Sequence, residues 1–133
     1  MGMTLTKDME VGVPKIDAQH KELVDRINAV IAMGTKSATL EETQKTLKFL
    51  GDYVVKHFND EEALQKQANY PKLAEHQAQH KQFIQAFEEL KKEFAKSGPS
   101  AKFTLELSNS AINWVVRHIK SSDKEFGRFY NQK

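Results

Sequence analysis

The sequence predicts an all-α fold: an antiparallel up-down-up-down four-helix bundle with an N-terminal arm. Apolar residues recur at alternating steps of three and four along long stretches, the spacing of a helix face that packs into a bundle. Short breaks carrying Gly, Pro and Ser separate the stretches, and short connections between long helices favour antiparallel neighbours. In that topology all five histidines of the chain fall in one layer at one end of the bundle.

Taken in order, residues 1–16 contain Gly12 and Pro14, show no helical stripe and read as an arm lying over the bundle. Asp17 reads as the N-cap of a first helix over about 17–33, with His20, Leu23, Val24, Ile27 and Ile31 on one face and Gly34 as its C-cap. Thr39 to Glu42 has the form of a capping box opening a second helix over about 40–66. Its core seam runs Leu47, Leu50, Val54, His57, Glu61, Leu64. Asn69-Tyr70-Pro71 reads as a turn, with Pro71 at the first position of a third helix over about 71–96. That seam runs Leu73, His76, His80, Phe83, Phe87, Leu90, Phe94 and ends before Ser97-Gly98-Pro99. Ser100 is placed to cap a fourth helix over about 101–120, where Leu107, Ala111, Val115 and His118 share a face. Internal repeats and low-complexity segments are absent, and residues 1–133 are expected to form a single domain.

Composition excludes several classes. The net charge is +2 with both signs mixed along the chain, so there is no nucleic-acid footprint. The absence of cysteine rules out disulfides, thiolate metal sites and Cys nucleophiles. No apolar run approaches the roughly 20 residues of a membrane span, so no membrane insertion is expected. The N-terminus lacks the layout of a signal peptide, and a cytoplasmic location is expected. Met1-Gly2-x-x-x-Thr6 matches a short acylation pattern and reads as a chance match ahead of a start at Met3.

Polar residues interrupt the apolar seams. His57-x3-Glu61 and His76-x3-His80 each place two donor groups about 40° apart on one helix face, so each pair can aim at one point. A lone seam histidine is more often a hydrogen-bonded core residue; four such donors on consecutive helices point to metal. His20, near the start of helix 1, and His118, near the end of helix 4, fall in the same layer. Asp123 follows His118 by five residues, about 140° around a regular helix, where both cannot face the bundle axis. The spacing therefore predicts a π-type turn or a break around Ile119 to Ser122. Taken alone, Asp123 reads as a solvated surface charge. The candidate metal ligands are thus His20, His57, Glu61, His76, His80, His118 and Asp123. That set exceeds the four ligands of a structural zinc and suits two metals bridged by two carboxylates. Residue types alone leave iron, zinc and copper open.

With these motifs in view the chain closely resembles the bacterial hemerythrins. The resemblance rests on Val11-Gly12-Val13, Ile16-Asp17-x-Gln19-His20-Lys21-x-Leu23, Tyr53-x3-His57-Phe58-x2-Glu61-Glu62, Tyr70-Pro71, His76-x3-His80 and Trp114-x3-His118-Ile119-x3-Asp123. It implies a non-haem di-iron centre of two Fe ions with an oxo or hydroxo bridge. Glu61 and Asp123 would bridge the irons. His76, His80 and His118 would complete one six-coordinate iron, and His20 and His57 would hold the other, which keeps an open position for O2. The implied function is reversible O2 binding for carriage, storage or delivery, with an oxygen-consuming oxidase as a possible partner; family members occur as monomers and as oligomers, and a monomer is favoured here. The alternatives are a di-iron redox enzyme acting on peroxide or nitric oxide, and an oxygen or iron sensor. With all five histidines already placed, no free acid or base remains for catalysis, and the chain is expected not to be an enzyme. It departs from the family pattern in three places: the arm has no Trp near Thr4 and Leu5, Gln65 replaces a frequent Met, and Val115 follows Trp114 where Leu is usual. Val115, one turn before His118, is expected to form part of the O2 pocket.

Overall fold

A computed structural model describes residues 3–35, 40–97, 106 and 108–132. The first helix, α1 (Pro14–Thr35), opens on a proline, whose missing N–H is one that a first turn leaves unpaired in any case. It thus begins earlier than expected, and Asp17 lies inside the first turn instead of capping it. The Asp17 N–H bonds to the Val13 carbonyl at 2.9 Å. Its carboxylate turns back to accept the N–H groups of Val11 at 2.8 Å and Gly12 at 3.1 Å, fixing the arm to the helix start. Gly34 falls within the helix, which continues to Thr35.

The second helix, α2 (Leu40–Gln67), keeps the expected seam. Thr39, and with it the expected capping box, lies outside the described residues, as does the Met1-Gly2 acylation motif. The end of α2 is closed by Asn69, whose φ of 56° is the left-handed conformation that asparagine tolerates. Tyr70 N–H then bonds to the Gln65 carbonyl at 2.9 Å and Asn69 N–H to that of Lys66 at 3.2 Å, the two bonds of a Schellman cap. Pro71 lies in the turn after this cap, not in a helix. The third helix, α3 (Leu73–Ser97), starts two residues later, with His76 N–H bonded to the Lys72 carbonyl at 3.0 Å. Gly98, Pro99 and the expected cap Ser100 lie outside the described residues.

The fourth helix, α4, spans 108–131 in four continuous segments. They are a π turn Ser108–Ile112, an α segment Asn113–His118, a second π turn Ile119–Asp123 and an α segment Lys124–Asn131. The second π turn falls where the His118–Asp123 spacing requires one; Lys124 N–H reaches back five residues to the Ile119 carbonyl. The first was not anticipated. Nor was the continuation past 120. Its cause is a second apolar cluster in which Phe126, fully buried, packs on Tyr70 with ring centroids 5.0 Å apart and on Ala68.

Ile16, Ile27, Leu50, Val54, Phe83, Phe94, Val115 and Ile119 build the main core between the helices. The arm joins it through Met3, Met9, Val11 and Val13, all buried, so it packs without a Trp. Asn28 holds the Met3 backbone through both its N–H, at 2.7 Å, and its carbonyl, at 2.8 Å. Gly127 makes the arm's close approach to α4 possible, because a Cβ there would stand 2.0 Å from the Val11 carbonyl oxygen.

Candidate metal centre

Each helix delivers its polar seam residues to the same level. His20 on α1 and His57 on α2 meet edge to face with ring centroids 4.9 Å apart. His76, His80 and His118 crowd together with centroids 4.6 to 5.0 Å apart. Contact of the α1 start with the α2 end, and of the α3 start with α4 beyond its middle, is what antiparallel succession requires. The five imidazoles and both carboxylates are buried, including Asp123 at 1 % exposure, which is therefore not a surface charge.

The donors form two overlapping groups. Glu61, His76, His80, His118 and Asp123 make one; His20, His57, Glu61 and Asp123 make the other; in each group one ligand atom per residue lies within 4.8 Å of all the rest. Both carboxylates belong to both groups. Asp123 does this with separate oxygens: Oδ1 is 2.8 Å from His76 Nε2 and 3.1 Å from His118 Nε2, while Oδ2 is 3.0 Å from His20 Nε2. Glu61 Oε1 stands 3.1 Å from the Nε2 atoms of both His76 and His80. The π turn in α4 is what allows His118 and Asp123 to face the same point.

These atoms fit a metal better than they fit each other. His20 Nδ1 and Nε2, both Glu61 oxygens, His80 Nε2 and Asp123 Oδ2 are buried without a hydrogen-bond partner, although several lie near 3 Å from a neighbour. They are close but not aligned, as when lone pairs aim at a point between them. Left unpaired, buried ionic groups cost several kcal/mol each, on the order given by desolvation. Donors about 2.1 Å from a common ion stand about 3.0 Å apart along an octahedral edge and about 3.4 Å along a tetrahedral one. Five donor pairs in the larger group stand 2.8 to 3.1 Å apart, close to an octahedral edge, and the group exceeds the four ligands of a structural zinc.

Electrostatics follow from the same burial. Burial pushes His57 down to about 4, against the pull of Glu61, so its imidazole is neutral at pH 7. Burial also acts to lower His76, but hydrogen bonds to Asp123 and Glu61 outweigh it and raise the ring to about 9. Burial would raise Asp123, yet the surrounding imidazoles of His118, His20 and His76 hold it well below the usual carboxylate range. A metal ion would replace these protons with a fixed positive charge.

A ring of further side chains holds the donors, and sequence reasoning assigned these residues no such role. Gln19 Oε1 meets His57 Nδ1 at 2.7 Å, while Gln19 Nε2 donates to Asp60 at 2.8 Å. Glu62 Oε2 accepts from His80 Nδ1 at 2.7 Å. Gln65, buried between α2 and α3, lies 2.8 Å from His76 Nδ1. Their position beside, or one turn from, a seam donor was the available signal. Trp114 stacks on His118 with centroids 4.4 Å apart, and Val115 is buried on the core side of the same turn.

Fold and cluster together define a four-helix-bundle protein with a buried metal-binding centre of imidazoles and carboxylates. The family model for the hemerythrin HHE cation binding domain matches residues 11–130, and the chain belongs to the hemerythrin family. The bacteriohemerythrin of Methylococcus capsulatus is 32% identical over 114 residues, covering 84% of this chain and 82% of the relative. That of Pseudomonas aeruginosa is 30% identical over 118 residues, covering 87% and 73%. Among solved structures, wild-type hemerythrin superposes with a TM-score of 0.82 at 30% identity, covering 95% of each chain. A mutant hemerythrin gives 0.83 at 30% identity, covering 97% and 98%. Membership is consistent with non-haem iron and O2 binding. Among the described residues no helix is long and apolar enough to cross a membrane.

Proposed function

We propose that the chain binds O2 reversibly at a non-haem centre of two irons, for carriage, storage or delivery. The observation that carries this reading is the unequal sharing of donors: two carboxylates common to a group of five and a group of four. With one further bridging oxygen, His76, His80, His118, Glu61 and Asp123 would fill six positions on one iron, whereas His20, His57 and the same two carboxylates would leave the other one position short. When bound, the irons supply the electrons and the coordination site that O2 requires.

The chain's own residues favour binding over turnover. The terminal donors would bind metal as neutral imidazoles, and every histidine of the sequence is in the cluster, so none is free as an acid or base. Hemerythrins are generally O2-binding proteins and not enzymes, which supports the same reading. Phe58, Val115 and Ile119, all buried beside the donors, exclude water and with it the protons that would help reduced oxygen escape. A monomer in the cytoplasm is favoured, with an oxygen-consuming oxidase as one candidate recipient of the O2. The test is metal analysis with an optical spectrum of the reduced protein before and after air and again after O2 removal. Two irons per chain and a visible band that forms and disappears are expected. One metal per chain, or a band that forms once and never reverses, refutes the reading.

A further inference from the structure

Gln65 is fully buried, yet its side chain cannot meet all its hydrogen-bonding needs. Gln65 Nε2 lies 2.8 Å from His76 Nδ1, and Gln65 Oε1 is buried with no partner. An imidazole that presents Nε2 to a metal carries its proton on Nδ1, and a proton there calls for an acceptor. A half-turn of the amide about its last side-chain bond exchanges the two atoms and places Oε1 on that proton. Either way one polar atom of the amide remains unpaired in the core, a cost of about 1–3 kcal/mol that a methionine of similar volume would not incur. The residue is also held rigidly: its own carbonyl accepts the Tyr70 N–H of the cap that ends α2. A side chain so placed, at such a cost, faces one neighbour that matters to the centre.

We propose that Gln65 is a positioning residue: it holds His76 with Nε2 toward the metal and sets how strongly that imidazole donates to it. An acceptor on Nδ1–H makes the opposite nitrogen more electron-rich, and an anionic acceptor does so more than a neutral one. More donation favours the oxidised metal. The chain therefore uses a neutral acceptor where His80, on the same group of donors, has the carboxylate of Glu62. This inference rests on the di-iron reading only in its redox consequence.

The test compares Gln65→Met, the unaltered protein and Gln65→Glu, which remove, keep and strengthen the acceptor. In zinc-loaded protein, NMR of the His76 ring reads the Nδ1 proton directly, whatever the protein does with O2. It is expected to exchange with solvent faster in Q65M and to be kept in Q65E. In iron-loaded protein the reduction potential is expected to fall in the order Met, Gln, Glu, and Q65M is expected to lose metal to a chelator about 10-fold faster. A structural role alone would weaken both variants without ordering the potentials. Equal potentials in the three proteins, or an Nδ1 proton that exchanges no faster in Q65M, overturns the proposal. Irreversible reaction with O2, with the ordering intact, refutes the carrier reading and leaves this one standing.

Discussion

Phe58 lies flat against His80: the ring centroids are 3.8 Å apart and the planes 2° from parallel. The same ring touches Phe83 and Trp114, so it ties one donor of the five-membered group to the apolar wall. Phe58→Leu keeps most of the volume and removes the stack. The expected cost is about 0.5–1.5 kcal/mol in urea unfolding, with faster metal release to a chelator. Unchanged release at reduced stability would show that Phe58 fills space without restraining His80.

The proposed asymmetry of the two irons predicts that His57→Ala and His118→Ala differ in kind. Loss of His118 opens the iron that the five-donor group would otherwise fill, giving azide a new place to bind. Loss of His57 widens a site that is already open. Azide titrations with O2 uptake on both variants decide the point; identical behaviour contradicts the assignment of donors.

Val115 is shorter by one methylene than the leucine usual after this tryptophan, about 0.8 kcal/mol of buried apolar transfer. It is buried one turn before His118, where its side chain gives less apolar cover than leucine would against water or anions. Val115→Leu is expected to slow the decay of the oxygenated band severalfold. Equal decay at one pH, with iron content intact, would mean that Phe58 or Ile119 has already closed the gap.

Burial pushes the Tyr70 hydroxyl up to about 12, with the charge of Glu125 adding to it. Its folded value lies above the unfolded value of about 10, so the unfolded chain ionises first. The contribution to stability is whole below pH 10 and is lost as pH rises toward 12. Burial also raises Tyr53, so part of this alkaline loss survives in Tyr70→Phe. The urea midpoint should nevertheless drop less between pH 8 and 11 in the variant. An equal drop would remove Tyr70 from the account.

The bundle was legible because its information is periodic: Leu47, Leu50, Val54 and Phe83, Phe87, Phe94 mark faces that any helix must bury. The meeting of His20, His57, Glu61, His76, His80 and His118 in one layer followed from the same period plus chain direction. Asp123 was legible only through its conflict with that period, since a regular helix turns it away. The segment beyond it was read too short: Phe126 keeps the spacing of Val115 and Ile119, but the extra residue in the turn directs it to a separate cluster with Tyr70 and Ala68 that the stripe alone does not reveal. Gln65 was hidden by its type, because a glutamine on a helix reads as solvated until a neighbouring ring shows what it faces. The Schellman cap at Asn69 was hidden because one residue's left-handed backbone moved the start of α3 past Pro71.

The wide turn Ile119–Asp123 also divides α4 into two registers that cannot be edited alike. Removing a single residue between Ile119 and Ser122 would restore an ordinary helix and bring Asp123 to four residues after His118, the spacing by which His57 and Glu61 already share a face. The wide turn absorbs the surplus residue, so that Asp123, Phe126 and Gly127 keep their facing. Closing the turn into an ordinary helix at unchanged length would instead rotate everything downstream by about 100°, taking Asp123 from the centre, Phe126 from Tyr70 and Gly127 from Val11 in one step. A graft of this centre into another bundle must therefore carry either the wide turn with its surplus residue or an Asp four residues after the His.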